Sequence, residues 1–206
     1  MYTPSDFAVT DPAALARLVE SNSFGLLCSQ REGRLEASHL PFLLDAARAR
    51  LRGHMARANP QWQGFAPMSE VLVVFQGAHA YVSPAWYASP HAVPTWNYEA
   101  VHVYGVPRLV EDDAEKETLL SDMVRRYESG RATPWRYPEG AEYAELLARM
   151  RRAIVAFEIA IVRMEGKAKL SQNRDAADRA GVRRALAAED PRFGPELAAR
   201  MAGVVP

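Results

Sequence analysis

Apolar and polar positions along this chain follow two different periods, and the switches between them mark out its elements. Leu15, Leu18 and Val19 recur at helical spacing behind Asp11 and Pro12, an N-cap followed by proline at the first helical position, and Asn22 is expected to end that helix in the left-handed region. Phe24 to Ser29 is a compact apolar run, Glu32 and Gly33 mark a turn, and Leu35 to Leu44 and Leu51 to Met55 continue as the second and third strands of an antiparallel meander. A short helix is predicted from Pro60. Val71 to Phe75 reads as a buried strand that a Gln76–Gly77 hairpin turns into Ala80 to Ser83.

Strand character returns at Val101 to Val110, with Val101 and Val103 on one side, His102 and Tyr104 on the other, and Pro107 implying an edge or a bulge. Asp112 and Glu115 open a helix whose stripe of Leu119, Leu120, Met123, Val124 and Tyr127 ends near Gly130. A loop carrying Pro134, Trp135 and Pro138 leads to a second helix, Ala141 to Met150, with Leu146, Leu147 and Met150 facing inward. Ile154 to Met164 alternates as a strand, and Glu165 with Gly166 is expected to turn it into Lys167 to Gln172. From about Asp175 onward the chain is alanine-rich helix broken at Pro191 and Pro195. Short strands, tight turns and late helices predict a mainly β (α+β) antiparallel barrel rather than a doubly wound parallel sheet. One domain over residues 1–206 is expected, with residues from about 175 as a helical tail.

Composition narrows the function classes. The chain has 206 residues, 49% of them apolar, and equal counts of 25 basic and 25 acidic residues leave no net field to draw it to nucleic acid or an anionic membrane. Cys28 is the only cysteine, which excludes disulfides within the chain and thiolate zinc clusters. MYTPSDFAVTDP lacks the pattern of a signal peptide, and the longest apolar run, Ala153 to Val162, is interrupted by Glu158, so a cytoplasmic location is expected. P-loop, Rossmann, nucleophile-elbow and H-E-x-x-H patterns are all missing.

Four segments are candidates for chemistry. In GHMARANPQW, residues 53–62, Asn59 and Pro60 start a helix whose leading amides, with Arg57 upstream, would suit an anion; an ordinary strand-to-helix connection reads the same way. In ASHLPF, Ser38 and Leu40 share one strand face and Ala37, His39 and Pro41 the other, and Pro41 marks either an edge or a place where the backbone leaves its partner. Tyr81, Trp86, Tyr87, Trp96, Tyr98, His102 and Tyr104 crowd a turn-rich region, with Trp96, Asn97 and Tyr98 in what should be a loop after Pro94; a planar ligand or an oligomer interface would use such a surface. GKAKLSQNR places Lys167 and Lys169 on one face with Ser171, Gln172, Asn173 and Arg174 beyond, a group of donors that fits an anion, a heterocycle or a protected strand edge.

MYTPSDFAV, SHLPF, GHMARANPQW, FQGAHAYVSPAWY, VPTWNYEAVHVYG and KLSQNR together, from Met1 to about Leu186, resemble the PaiB family, described as FMN-binding negative transcriptional regulators. The resemblance implies a split β-barrel of the pyridoxamine-phosphate-oxidase type and a homodimer with flavin sites between subunits. It places the FMN phosphate near Arg57 and Asn59, with Ser38, His39, His54 and Met55 along the pocket. Trp96, Asn97 and Tyr98, or Lys169, Ser171 and Gln172 of the second subunit, would close over the ring. One branch of the family resembles haem enzymes of the piperazate synthase type, which form a nitrogen–nitrogen bond, and there haem b would take His54 as its axial ligand. The KLSQNR ending is more similar to the general type, so FMN is the expected cofactor, with a redox or sensing role. DNA binding rests on the family name and on paired arginines such as Arg125–Arg126 and Arg183–Arg184, without a helix-turn-helix to support it.

Overall fold

A computed structural model describes residues 1–137 and 140–203, so the expected loop residue Pro138 lies outside the described residues. Helix α1, Pro12–Ser21, starts as the sequence dictates: the Asp11 carboxylate accepts from the amides of Ala13 (3.2 Å) and Ala14 (3.0 Å), which have no partner inside the helix. Asn22 ends it at φ −122°, not in the left-handed region; its side chain donates to the Leu18 carbonyl at 2.8 Å and its backbone N–H to the Leu18 and Val19 carbonyls at 3.2 Å, which satisfies the helix end without a left-handed residue.

Seven strands follow one another as β1 (Ala8–Val9), β2 (Phe24–Arg31), β3 (Arg34–Asp45), β4 (Arg50–Ala56), β5 (Val71–Val82), β6 (Thr95–Val110) and β7 (Ile154–Lys169). The remaining helices are α2 (Asp113–Glu128), α3 (Ala141–Arg152), α4 (Ala176–Glu189) and α5 (Gly194–Ala202). The sheet order is β1-β7-β4-β3-β2-β5-β6, and β6 also pairs with β7, the connectivity of the antiparallel split barrel expected from the sequence. Between β2 and β3 the two-residue turn is formed by Glu32 at φ 51° and Gly33 at φ 77°, the left-handed pair that matches strand twist in a tight hairpin.

Three expected turns and loops are strand instead. Gln76–Gly77 lies inside the unbroken β5, where a Cβ on Gly77 would come within 3.2 Å of the Glu99 Cβ; the glycine admits a close neighbour rather than a turn. Glu165–Gly166 likewise lies inside β7, and Trp96, Asn97 and Tyr98 belong to β6. The strand starting at Thr95 uses the β-propensity of these aromatic residues, which Pro94 precedes without interrupting.

The chain forms two compact units, each assembled from separated segments. The first comprises Met1–Asn22, Val74–His102 and the chain from Met164 onward. Its core joins Ala78, Ala80 and Val82 of β5 and Leu170 to Val182 and Leu186 of α4 and Leu197 and Met201 of α5, so the alanine-rich C-terminal stretch is core rather than a peripheral tail. Asp178 of α4 is buried and accepts from the amides of Ala88 (2.8 Å) and Ser89 (2.9 Å) and from the Ser89 hydroxyl (2.9 Å); the Ser89 amide, first among these, holds its carboxyl below the usual range.

The second unit comprises Ser23–Val73 and Val103–Arg163. Leu27, Leu40, Phe42, Leu51, Met55, Phe157 and Ile159 fill one face of its sheet, with Phe42 and Phe65 meeting Phe157 edge-on at centroid distances of 6.2 and 5.3 Å. Leu119 and Met123 of α2 cover part of the other face, against Ala156, Val110 and Leu43. Among the described residues no helix is long and apolar enough to cross a membrane.

Candidate functional site

The second unit exposes its chemistry where β3 changes partners. β3 pairs with β2 as far as Pro41, opposite Phe24, and from Phe42, opposite Gly53, it pairs with β4. Pro41, which has no N–H to give a ladder, sits at that change, as its sequence context implied. Antiparallel neighbours share a face, so Phe24, Pro41, His54 and Ala156 form one row on the side away from Phe42 and Phe157. α2 covers the Ala156 end of the row, whereas the Phe24 end is open: Phe24 is 66% exposed and stacks on His39 at 6.0 Å and 24°.

His54 stands between two hollows. On one side a cavity of about 1050 Å³ separates it from α2 and α3; on the other a groove of about 380 Å³ runs past Pro41 and Phe24 to Val124, Tyr127 and Trp135. The larger volume is at the upper end of the roughly 300–1,000 Å³ of small-molecule pockets. The His54 Nδ1 is buried and has no hydrogen-bond partner among the described residues. Burial lowers the imidazole pKa, so the ring is neutral at neutral pH.

Met123, Val124, Leu147, Met150 and Ile154 give the larger cavity apolar walls, while Thr118, Ser121, Arg125 and Arg151 supply polar groups. Arg125 pairs with Asp122 at 3.2 Å and Arg151 with Glu117 at 3.5 Å, which leaves donors on both guanidinium groups. Burial raises the pKa of the Tyr137 phenol on the same wall. The expected inward face of α3 is corrected here. Leu147 and Met150 face the cavity rather than a packed partner, which leaves Met150 53% exposed, and Leu146 is 40% exposed.

The Asn59–Pro60 cap forms as expected but starts only a five-residue 3₁₀ turn, Pro60–Gly64. Its first amides are engaged: Asn59 N–H donates to the Ala56 carbonyl at 2.9 Å, Pro60 has none, and Gln61 N–H donates to Asn59 Oδ1 at 3.0 Å. The Asn59 amide also donates to Ser38 Oγ at 2.8 Å, tying the turn to β3. Gln61, which the sequence did not single out, completes the latch. It is 1% exposed and its Nε2 lies within 3.0–3.2 Å of Ser29 Oγ and the carbonyls of Leu27 and Glu36. Nothing in local pattern marks a glutamine for burial, since its partners come from β2 and β3.

Arg57 donates through Nε to the Arg152 carbonyl and through Nη2 to the Ile154 carbonyl, both at 2.8 Å, and so caps the C-terminus of α3. Arg57→Ala is expected to lower stability by about 1 kcal/mol, the net worth of such bonds on an exposed side chain, as read from the urea midpoint. An unchanged midpoint would mean that the cap contributes nothing.

The structure therefore sorts the candidate residues. His39 and His54 share the open face; Ser38 and Asn59 bond to each other; Met55, 2% exposed, belongs to the core. Trp96, Asn97, Tyr98, Lys169, Ser171 and Gln172 all lie in the first unit. There Asn97 Nδ2 donates to Ser171 Oγ at 3.0 Å, Lys169 Nζ donates to the Trp96 carbonyl at 3.1 Å, and Gln172 Oε1 accepts from Leu170 N–H at 2.6 Å. Among the described residues no group of three or more His, Cys, Asp or Glu could hold a metal ion.

Comparison with known proteins gives this geometry a family. Residues 1–163 match the family described as "Putative FMN-binding domain". The chain is 39% identical over 180 residues to the protease synthase and sporulation protein PAI 2 of Bacillus subtilis, covering 86% of this chain and 85% of that protein. It is 32% identical to an uncharacterized protein of Emericella nidulans, covering 88% of each. Among solved structures, the flavocytochrome Anf3 of Azotobacter vinelandii superposes with a TM-score of 0.61 at 15% identity, covering 79% of this chain and 69% of that one. The FAD and heme binding protein of Mycobacterium smegmatis superposes with a TM-score of 0.60 at 17% identity, covering 79% and 73%. At those identities the two structures establish the shared fold alone. The sequence matches establish more: the chain belongs to the PaiB family of FMN-binding proteins.

Proposed function

We propose that FMN lies in the cavity between β4 and the α2–α3 pair, with His54 against the edge of its ring, and that the protein uses it in a redox or sensing role. The residues present fit the group. A tricyclic ring needs flat apolar walls, which Met123, Val124, Leu147 and Met150 offer, and a polar contact at its edge, which the His54 imidazole on the same lining offers. A phosphate needs cations, and Arg125 and Arg151 line the same cavity with unspent donors, whereas Arg57 Nε and Nη2 and Asn59 Oδ1 are engaged elsewhere. Bound FMN would supply one- and two-electron redox chemistry. The chain's own part is to orient and enclose. The neutral imidazole holds the ring edge, the apolar walls keep water out, and α3, packed loosely over the opening, admits the ligand.

The same reading includes a second copy of the chain. Beside Phe24, the outward face of the β2–β3 hairpin carries Leu26, Cys28, Leu35 and Ala37, with Leu35 85% exposed, an apolar strip that a monomer leaves in water. A homodimer that buries this strip would also cover the groove at His54.

The observation that carries the proposal is His54, half-buried with a partnerless Nδ1, on the lining of a cavity of about 1050 Å³. Titrating the purified chain with FMN should give saturable quenching of flavin fluorescence and a shifted flavin spectrum, with a dimer in sedimentation equilibrium. A Soret band in protein fresh from cells, or an FMN spectrum that stays that of free flavin, would overturn it.

A further inference from the structure

The groove beside His54 has a lining that sorts ligands by charge. Phe24, Pro41, Val124, Tyr127 and Trp135 wall a hollow of about 380 Å³, near the lower end of small-molecule pockets and roomy enough for a fused bicyclic ring. Among the described residues no lysine or arginine lies on that lining. Glu128 is its one acid, and both carboxylate oxygens are engaged: Oε2 accepts from Trp135 N–H at 2.9 Å, and Oε1 pairs with Arg131 Nε at 3.2 Å. The His54 imidazole is neutral at neutral pH, so the groove meets an anion with a carboxylate and offers it no cation.

Its aromatic walls are held in place by the protein itself. Val124, Tyr127 and Glu128 are three and four residues apart on α2 and so share one face of that helix. The Tyr127 hydroxyl lies 2.9 Å from Ser23 Oγ, which ties its ring to the start of β2. Trp135 is fixed by its amide bond to Glu128 and by Tyr137, which it meets edge-on at 5.2 Å and 63°. Trp135 and Tyr127, 53% and 42% exposed, join Phe24 in rimming one concave surface with large rings that the chain leaves uncovered. The groove is also continuous with the larger cavity. His54, Met123 and Val124 line both, so an occupant of one meets an occupant of the other at the imidazole.

We propose, resting on the flavin reading above, that this groove binds the second ligand of the flavin site, and that the ligand is a small uncharged aromatic molecule. The rings of Trp135, Tyr127 and Phe24 hold it, and His54 stands between it and the flavin. A carboxylate or phosphate on the same ring is rejected, because it would be desolvated near Glu128 with no cation to pair with. A second copy of the chain packed on the β2–β3 strip roofs the groove rather than filling it, since Leu26, Cys28, Leu35 and Ala37 are not on the lining.

The test is calorimetric titration of the full chain, with and without FMN, using 1-naphthol and 1-naphthoate, which present the same bicyclic ring as a neutral and an anionic molecule at neutral pH. The protein should bind 1-naphthol roughly tenfold or more tightly than 1-naphthoate. Trp135→Ala, a change at an exposed residue, should weaken 1-naphthol about tenfold and leave FMN affinity within about twofold. No binding of 1-naphthol, equal binding of 1-naphthoate, or an unchanged 1-naphthol affinity in Trp135→Ala would overturn the proposal, and would do so without touching the flavin reading if FMN still binds. Competition between 1-naphthol and FMN would overturn it by assigning the groove to the flavin, and loss of the dimer in Trp135→Ala would overturn it by assigning the groove to the second copy. Trp135-dependent binding of 1-naphthol to a chain that leaves FMN free in solution would support the groove and remove the flavin reading alone.

Discussion

Replacing Gly105 with alanine should lower the stability of the chain by about 3 kcal/mol, toward the upper end of what overpacking costs. A Cβ at that position in β6 would stand 2.3 Å from the Ala160 carbonyl oxygen, 2.6 Å from Ile159 Cγ2 and 3.0 Å from the Ala160 carbonyl carbon. Two of those three atoms are backbone, and they are not free to yield. Ala160 is paired with Arg50 of β4, and the next residue, Ile161, donates its amide to the Ala49 carbonyl at 2.8 Å. Relief would require β7 to shift against β4, carrying Phe157 out of its contacts with Phe42 and Phe65. Urea denaturation should show the loss as a lower midpoint with an unchanged slope. Gly130→Ala is the control, because nothing lies within 4 Å of its added Cβ and its change should stay within about 0.5 kcal/mol. A Gly105→Ala protein within 1 kcal/mol of wild type would show that β6 and β7 are less tightly apposed than this geometry requires.

Glycine also shows where the sequence was legible and where it was not. Two of the chain's Glu-Gly pairs, at residues 32–33 and 165–166, read as turns. The first is one, with both residues at positive φ between paired Arg31 and Arg34. The second is straight strand, its glycine admitting Leu15 and Val9, which would lie 2.3 and 2.9 Å from an added Cβ. The dipeptide is the same, and what differs is a long-range neighbour that no local window contains.

The site divides in the same way. Strand parity placed His39 and Pro41 opposite Ser38 and Leu40, and the proline marked the change of partner, because both follow from period and from a missing N–H. The Asn59 cap was equally local. How far the helix would run was not, nor that Arg57 would spend its donors on carbonyls 95 and 97 residues away. The stripe of α3 was legible as amphipathic, yet whether such a stripe packs on a core or borders a cavity depends on what stands opposite, and here that is open space in front of His54.

That open space leads to the second large effect. His54→Phe should make the ligand-free protein more stable while weakening FMN binding about tenfold, a pairing of opposite signs that a purely structural histidine would not produce. Phenylalanine keeps the flat ring that sits between Pro41 and Ala156 on the sheet face but removes a buried nitrogen with no partner, a group whose unmet hydrogen bond costs roughly 1–3 kcal/mol. Part of that cost should return as stability in the variant, read as a raised thermal midpoint without flavin. The imidazole is neutral at neutral pH, so the gain involves no lost ion pair. With FMN present the same substitution removes the polar contact at the ring edge, and one hydrogen bond in a desolvated site corresponds to about 1–1.5 kcal/mol, or close to tenfold in affinity. His54→Asn, which keeps a donor and an acceptor near the same place, should recover part of the affinity and none of the stability. If His54→Phe instead lost stability and bound FMN as wild type does, the buried nitrogen would be serving the fold, and the cavity in front of it would have to be assigned to something other than the flavin.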